Sequence, residues 1–228
     1  MIKPLFCWLG ALPLLTSLAQ ANAATPAQST APNWEGRERI GLIMPVFSQL
    51  VRTWHPKGFQ IAPVYEKVIG GQYIRETVLE GENTTTWTQM ISIMGAKDLA
   101  SNPDATPKKI ADIIARGYKN SCPASFSAGV DSISKIDGRD AFVAMVSCGK
   151  SPLKQGGTSE TALVIVIKGE KDYYTVKWSE RGAPSTTPLA IDTAKWGERY
   201  KLLMPIHVCP IVPGEAAPYR SCVDRKSN

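Results

Sequence analysis

The feature that most constrains how this chain folds is a set of four cysteines that follow an N-terminal export signal. Residues 1–3 form a short basic start, residues 5–18 are mostly apolar, and Ala21-Asn22-Ala23 places small residues at the two positions that a signal peptidase reads. The apolar segment is too short to cross a bilayer, which takes about 20 residues. We therefore predict that residues 1–23 are removed, with a second cut site after Ala21, and that the mature chain is periplasmic or secreted and has no transmembrane anchor.

Export decides how the cysteines are interpreted. The cysteines of the mature chain are Cys122, Cys148, Cys209 and Cys222. An even number in an oxidising compartment implies disulfides, with three connectivities possible. We favour Cys122 with Cys148, because they join the end of a predicted helix to the end of a predicted strand. We favour Cys209 with Cys222, because they close a proline-rich tail.

Size and charge exclude several classes of protein. Removing 23 of the 228 residues leaves 205, enough for one domain with a substantial core. Lysine and arginine number 26 against 20 acidic residues, and Lys3 belongs to the signal, so the mature chain is mildly basic. Its cations are interspersed with acids, and the longest basic run is Lys108-Lys109. A nucleic-acid binder usually clusters its cations on one face, so we predict no nucleic-acid partner.

The first part of the folded region combines one ambiguous segment with two clear strands. In residues 40–54 apolar side chains recur at intervals of three and four, which favours a helix, and a strand at 46–51 is the alternative. Residues 72–79 and 87–94 alternate in polarity on either side of a turn. These two segments predict adjacent strands.

The central segment contains the clearest helix. Thr106 supplies an N-cap and Pro107 a first helical residue, and an apolar stripe at helical spacing follows. The helix should end near Cys122, because a proline follows that residue and disfavours helical backbone angles before it.

The sequence after residue 125 predicts a sheet, followed by a helix and a tail. Strands are predicted at residues 126–136, 139–148, 159–168 and 172–178. Asp137-Gly138 supplies the two positive φ angles of a tight hairpin between the first two strands. A last helix is predicted between residues 188 and 203, capped by Thr187 or Asp192. Four prolines after it predict a tail without regular structure.

The order of these elements predicts a single α+β domain with a mainly antiparallel sheet and helices packed on it, since helices do not alternate with strands as in a doubly wound fold. Four segments are predicted: a signal peptide at 1–23, a flexible leader at 24–33, the α+β domain at 34–204 and a disulfide-tied, proline-rich tail at 205–228.

One stretch of sequence is similar to a known family. Glu80-Gly81-Glu82-Asn83, then Trp87-Thr88-Gln89-Met90, a helix, four strands and a closing helix, resembles the Mog1/PsbP-like fold, especially its bacterial periplasmic DcrB-like members. The resemblance covers about residues 46–203. It implies a small accessory or binding protein and carries over no catalytic residues.

The sequence contains no recognisable catalytic pattern. His55 and His207 are the two histidines, and neither accompanies a Gly-x-Ser-x-Gly nucleophile motif. His207 and Cys209 resemble a metal-ligand pair, but a disulfide accounts better for Cys209. His55 is interpreted as a surface or packing residue. We predict no catalytic, metal-binding or cofactor-binding residues.

These observations favour an exported, non-enzymatic binding or assembly protein of the bacterial cell envelope. Its partner is predicted to be another envelope or secreted protein, contacted through Trp34 and Trp54. Two alternatives remain open: a secreted hydrolase whose site is not recognisable from the sequence, and a secreted inhibitor or effector that uses its proline-rich tail.

Overall fold

The computed structural model describes residues 38–151 and 157–225 of the chain. The predicted signal peptide at 1–23, the leader at 24–33 and Trp34 lie outside the described residues. The described residues form two antiparallel sheets with helices packed on them, so the predicted α+β class is confirmed.

The secondary structure follows the chain from one hairpin-rich segment to the next. The strands are β1 (Arg39–Val46), β2 (Gln49–Pro56), β3 (Tyr65–Ile69), β4 (Gln72–Val78), β5 (Gln89–Ala96), β6 (Phe126–Ile136), β7 (Arg139–Ser151), β8 (Thr158–Lys168), β9 (Tyr173–Gly182) and β10 (His207–Pro210). The α-helices are α1 (Pro107–Ser121), α2 (Thr193–Leu203) and α3 (Arg220–Val223). A larger sheet has the order β3-β4-β5-β9-β8-β7-β6, and a smaller one has the order β1-β2-β10.

Both faces of the larger sheet are covered. One face packs against the inner face of the smaller sheet and against α2, where Trp178, Ile165 and Val51 are fully buried. The other face packs against α1. Burial of each such side chain contributes roughly 1.5–3 kcal/mol to the free energy of folding. Residues 162–167 of β8 are all apolar and all buried, which confirms their predicted place at the centre of the sheet.

Local sequence signals are confirmed where a turn or a cap specifies them. The Thr106 side chain accepts a hydrogen bond from the Lys109 backbone N–H at 3.2 Å and begins α1. Asp137 and Gly138 have φ angles of 53° and 74° and close the β6–β7 hairpin. At α2, Asp192 is the N-cap and accepts from the Lys195 N–H at 3.0 Å.

The helix predicted for residues 40–54 is wrong, because this segment is the β1–β2 hairpin. Its turn lies at residues 47–48, where Phe47 has a φ of 53°. The turn is fixed from outside the segment, since the Asp172 carboxylate accepts hydrogen bonds from Ser48 N at 3.0 Å and Ser48 Oγ at 2.5 Å. Within each strand, every second residue faces the core. Across the two-residue turn, residues an odd number of positions apart, such as Met44 and Val51, face the same side. The combined spacing therefore resembles that of a helix.

The tail is more regular than its prolines predict. Residues 207–210 form β10, which pairs antiparallel with β2, and residues 220–223 form α3. Pro210 is tolerated because it is the last residue of an edge strand. The prediction of an irregular tail is therefore wrong in these two segments.

Both predicted disulfides are present. Cys122 is bonded to Cys148, and Cys209 to Cys222. The first bond joins the C-terminal end of α1 to β7. The second joins β10 to α3 and lies in a small buried cluster with Leu50.

Candidate functional site

Helix α2 is held on the larger sheet by one flank and on the smaller sheet by its C-terminal end. Arg199 has 1% of its side chain exposed, lies over the ring of Trp196 at 4.3 Å and forms an ion pair with Glu180 of β9. At the C-terminal end, Nη1 of Arg39 donates to the carbonyl oxygen of Met204 at 2.6 Å. A cation at this end of a helix also interacts favourably with the helix dipole. These contacts give α2 a defined position.

The carboxylate of Glu180 is the centre of this anchor. Burial alone would raise the pKa of Glu180, but the charge of Arg199 and hydrogen bonds from Lys195 and Gln89 outweigh burial and lower it. The Gln89 side chain in turn accepts a hydrogen bond from Nε1 of Trp178 at 2.7 Å. Glu180 is therefore ionised at neutral pH and compensates the buried guanidinium.

The opposite flank of α2 stands off the sheet except at Tyr200, whose hydroxyl interacts with the Ser134 side chain of β6. Thr193, Gly197 and Tyr200, which follow one another at helical spacing, line a cavity of about 300 Å³ that we call the α2 cavity. Gly197 leaves this space open: a Cβ atom built on it would meet no atom within 4 Å. The cavity therefore exists partly because a helix interior carries a glycine.

The sheet side of the α2 cavity is mostly apolar. Val143 and Met145 of β7 and Leu163 of β8 form its floor, and Ser132 and Ser134 of β6 form its wall. The small serine side chains leave room that a larger residue would fill.

The chemistry of the α2 cavity suits an uncharged ligand group. No ionisable carboxylate, amine or guanidinium is among its lining residues in the described part of the chain. Burial raises the pKa of Tyr200, with a smaller opposing effect from Ser134, so its hydroxyl stays protonated and can make a hydrogen bond to a ligand beside its contact with Ser134. An apolar floor with a few hydroxyl groups is typical of small-molecule and side-chain pockets.

The two histidines lie elsewhere and are both buried. His55 has 3% of its surface exposed, and its Nδ1 lies 3.4 Å from Oγ1 of Thr77. Burial, with a smaller effect from the charge of Arg75, lowers the pKa of His55 to about 3. His207 is 2% exposed, and its Nδ1 lies 3.1 Å from Oδ1 of Asp137. His55 is a packing residue, and neither ring lines the α2 cavity.

Trp54 lies on the outer face of the smaller sheet, away from the α2 cavity. Its indole ring is half-buried between the guanidinium groups of Arg39 and Arg52, at 5.1 and 5.2 Å from the ring centre. Arg52 also donates to the carbonyl oxygen of Val223 in α3 at 2.7 Å. The role of Trp54 as a contact residue, like that of Trp34, stays a prediction.

A second recess lies on the other face of the larger sheet, beside α1, and is polar. The hydroxyl of Tyr118 donates to Oε1 of Glu160 at 2.5 Å, and Nζ of Lys177 lies 3.6 Å from the same oxygen. Burial raises the pKa of Tyr118. Since these polar groups satisfy one another, the recess offers a ligand fewer free polar groups, although its volume of about 300 Å³ equals that of the α2 cavity.

Two further observations bear on the class of protein. Within residues 38–151 and 157–225, no group of three or more His, Cys, Asp and Glu side chains is arranged to hold a metal ion. Among the helices of the same residues, none has the length and apolar character required to span a membrane.

Sequence reasoning did not identify the α2 cavity. Its lining combines residues 132–163 of three consecutive strands with residues 193–200 of α2, and only packing of the helix on the sheet brings these together. The one local signal was Gly197, a glycine inside an otherwise regular helical pattern, which costs about 1 kcal/mol relative to alanine unless packing or function requires it.

The fold and the cavity together define an α+β protein with a small, largely apolar cavity under one helix. No protein-family model matches the sequence, and no curated protein matches it significantly. Similar solved structures include a mutant of the protein Mog1, with a TM-score of 0.45, 12% sequence identity, and coverage of 76% of this chain and 97% of that one.

Two other solved structures are similar. The Saccharomyces cerevisiae Ran-binding protein Mog1p has a TM-score of 0.43 at 12% identity, covering 75% of this chain and 96% of that one. Cyanobacterial PsbP from Synechocystis has a TM-score of 0.39 at 9% identity, covering 69% and 86%. Mog1 and PsbP-type structures are thus among the folds that the chain resembles, as predicted. The likeness concerns the fold alone, and the DcrB-like resemblance stays a prediction.

Proposed function

We propose that this protein is an exported, non-enzymatic binding protein of the bacterial cell envelope, and that it holds an apolar group of its partner in the α2 cavity. The observation that carries this proposal is the cavity itself, an uncharged space of about 300 Å³ with an apolar floor and a rim of hydroxyl groups. Its volume suits one large side chain or a small ring system.

The buried histidines support a binding role. A hydrolase of this size would need a base that reaches its substrate, and hydrogen-bonding distance is the first requirement for such a base. His55 and His207 are 3% and 2% exposed and point into packed regions rather than into the α2 cavity. A binding function needs no such base.

Export is supported by the N-terminal pattern and by the two disulfides. Disulfides persist mainly in oxidising compartments, such as the bacterial periplasm. N-terminal sequencing of the protein recovered from a periplasmic extract should give a chain that begins at Ala24, or at Asn22 if the alternative site is cut. Recovery of the uncut chain from the cytoplasm would contradict export.

The binding role can be tested with N-phenyl-1-naphthylamine, an uncharged, apolar fluorescent probe. Gly197→Leu should fill the α2 cavity and weaken probe binding by roughly tenfold or more, which corresponds to about 1.4 kcal/mol. The helix should tolerate the change, because leucine has a higher helix propensity than glycine and the added atoms enter open space.

Gly117→Leu is the matched control. Gly117 is also a glycine inside a helix, α1, and a Cβ atom added to it would likewise meet no atom within 4 Å. It lies beside the polar recess and outside the α2 cavity. The control should bind the probe as the wild type does. Equal probe affinity in the wild type and Gly197→Leu, with both proteins folded by circular dichroism, would contradict the proposal.

A further inference from the structure

The wall of the α2 cavity is an edge strand. β6 is the last strand of the larger sheet and pairs on one side with β7. Among the described residues, none outside β7 makes a backbone–backbone hydrogen bond to residues 132–136. The N–H and C=O groups on the other edge of this segment are therefore available to a further strand.

The free edge and the cavity are adjacent. Side chains alternate along a strand, so Ser132 and Ser134 face α2 and the cavity, whereas Ile133 faces the other side of the sheet. A strand added to β6 would lie about 4.8 Å from it. Alternate side chains of that strand would then project toward α2 at the position of the serine wall.

The other face of the same edge carries an apolar residue without cover. Ile133 is 88% exposed, the highest value among the large hydrophobic residues described. In an antiparallel pair, directly opposite residues have Cβ atoms about 4.5–5.5 Å apart, so a neighbouring strand would cover Ile133. The same occupant would satisfy the backbone edge, fill the cavity and cover this side chain.

We propose that the partner binds as an extended polypeptide segment that adds to β6 and places one apolar side chain in the α2 cavity. This inference rests on the proposed function and specifies the partner's chemistry. In strand addition, main-chain hydrogen bonds supply affinity, and pockets for alternate side chains supply specificity. A free apolar small molecule would use the cavity but leave the edge of β6 unpaired.

β6 suits this role better than the other edge of the sheet. β3 has five residues, against eleven in β6. It also lies at the opposite end of the strand order from the residues that line the α2 cavity. An extended segment on β3 would therefore have no pocket of this kind for its side chains.

The test uses random peptides displayed on phage as the probe. Peptides that bind the wild-type protein are selected after removal of those that bind Gly197→Leu. We expect selected peptides to share one large apolar residue and to bind Gly117→Leu as well as the wild type. Replacing that residue by alanine should weaken binding by about tenfold or more.

Two measurements then distinguish strand addition from other modes of binding. Amide hydrogen exchange should show new protection at alternate residues within 132–136, because successive N–H groups of a strand point to opposite edges and those facing β7 are already protected. N-methylation of the selected peptide, one residue at a time, should weaken binding about tenfold at alternate positions, as expected for loss of single backbone hydrogen bonds.

The outcomes separate the two proposals. If the fluorescent probe binds the α2 cavity but no peptide is selected, strand addition is overturned and the proposed function stands. If selected peptides bind without protecting alternate β6 amides, or tolerate N-methylation at every position, strand addition is also overturned. If neither the fluorescent probe nor any peptide depends on Gly197, both proposals fail.

Discussion

His55 makes the stability of this protein depend on pH in a way that can be calculated. Its ring is buried in the described core, and burial lowers its pKa to about 3. In the unfolded chain the pKa of a histidine is about 6.5. Below pH 6.5 the unfolded state therefore binds a proton that the folded state does not bind, so the free energy of unfolding decreases as the pH falls.

The size of this effect follows from the two pKa values. The free energy of unfolding changes by at most about 1.4 kcal/mol per pH unit for one proton. Between pH 7.5 and pH 5, His55 should therefore reduce the free energy of unfolding by about 2 kcal/mol. This pH range lies above the usual pKa of carboxylates, so Asp and Glu side chains contribute little to the change in the free energy of unfolding.

His55→Phe isolates this contribution. The variant keeps a ring beside Phe59, whose ring centre lies 6.2 Å from that of His55. Thr77 keeps a hydrogen bond, because its hydroxyl also donates to the carbonyl oxygen of Ile91 at 3.3 Å. Urea unfolding of the wild type and the variant, followed by tryptophan fluorescence, should be measured at pH 7.5 and pH 5.

The variant should gain about 2 kcal/mol relative to the wild type when the pH is lowered from 7.5 to 5. Contributions from other titrating groups cancel in this comparison. If the difference in unfolding free energy between the two proteins were the same at both pH values, His55 would be accessible to protons in the folded state, and its assignment as a buried packing residue would be wrong.

Two further predictions concern α2 and the tail. Glu180→Ala should lower the free energy of unfolding by about 3 kcal/mol because it leaves the Arg199 guanidinium buried and unpaired, whereas Lys195→Ala, at the half-exposed partner, should cost less than about 1 kcal/mol. Since the pKa of Glu180 is lowered on folding, its contribution to the free energy of unfolding should be present above pH ~4.5 and decrease below it. If Glu180→Ala and Lys195→Ala lowered the free energy of unfolding equally, a buried ion pair would be contradicted. Replacing Cys209 and Cys222 together by serine should cost about 3 kcal/mol, since their bond closes a short loop with a sequence separation of 13. Urea unfolding measures each value, and a double variant as stable as the oxidised wild type would contradict the last one.

The sequence was sufficient where a few neighbouring residues specify the backbone. Thr106 and Pro107 predict the start of α1, and Asp137-Gly138 predicts the β6–β7 hairpin, because caps and tight turns depend on hydrogen bonds and φ angles within a few residues. Both disulfides were also predicted: Cys122 with Cys148 because the pattern had located the helix end and strand end that they join, and Cys209 with Cys222 because they close the proline-rich tail.

The sequence was not sufficient where a distant residue decides the local structure. Residues 40–54 have a helical spacing of apolar side chains, yet Asp172, more than 120 positions away, holds the turn at Ser48 that makes them a hairpin. Periodicity cannot reveal such a contact. In the same way, β10 exists because β2 offers it an edge, although prolines at both ends of the segment disfavour regular structure.

Residue patterns along the chain were enough to predict the two disulfides, the α+β class and most strand and helix boundaries, because each of these depends on composition or on residues close together in sequence. These patterns could not predict where His55 and Trp54 lie in the fold. They also could not predict the open space between α2 and β6 beside Gly197, since both features depend on how distant elements pack. The α2 cavity and the free edge of β6 arise from the packing of a helix on one end of a seven-stranded sheet, and no segment of the chain contains either of them.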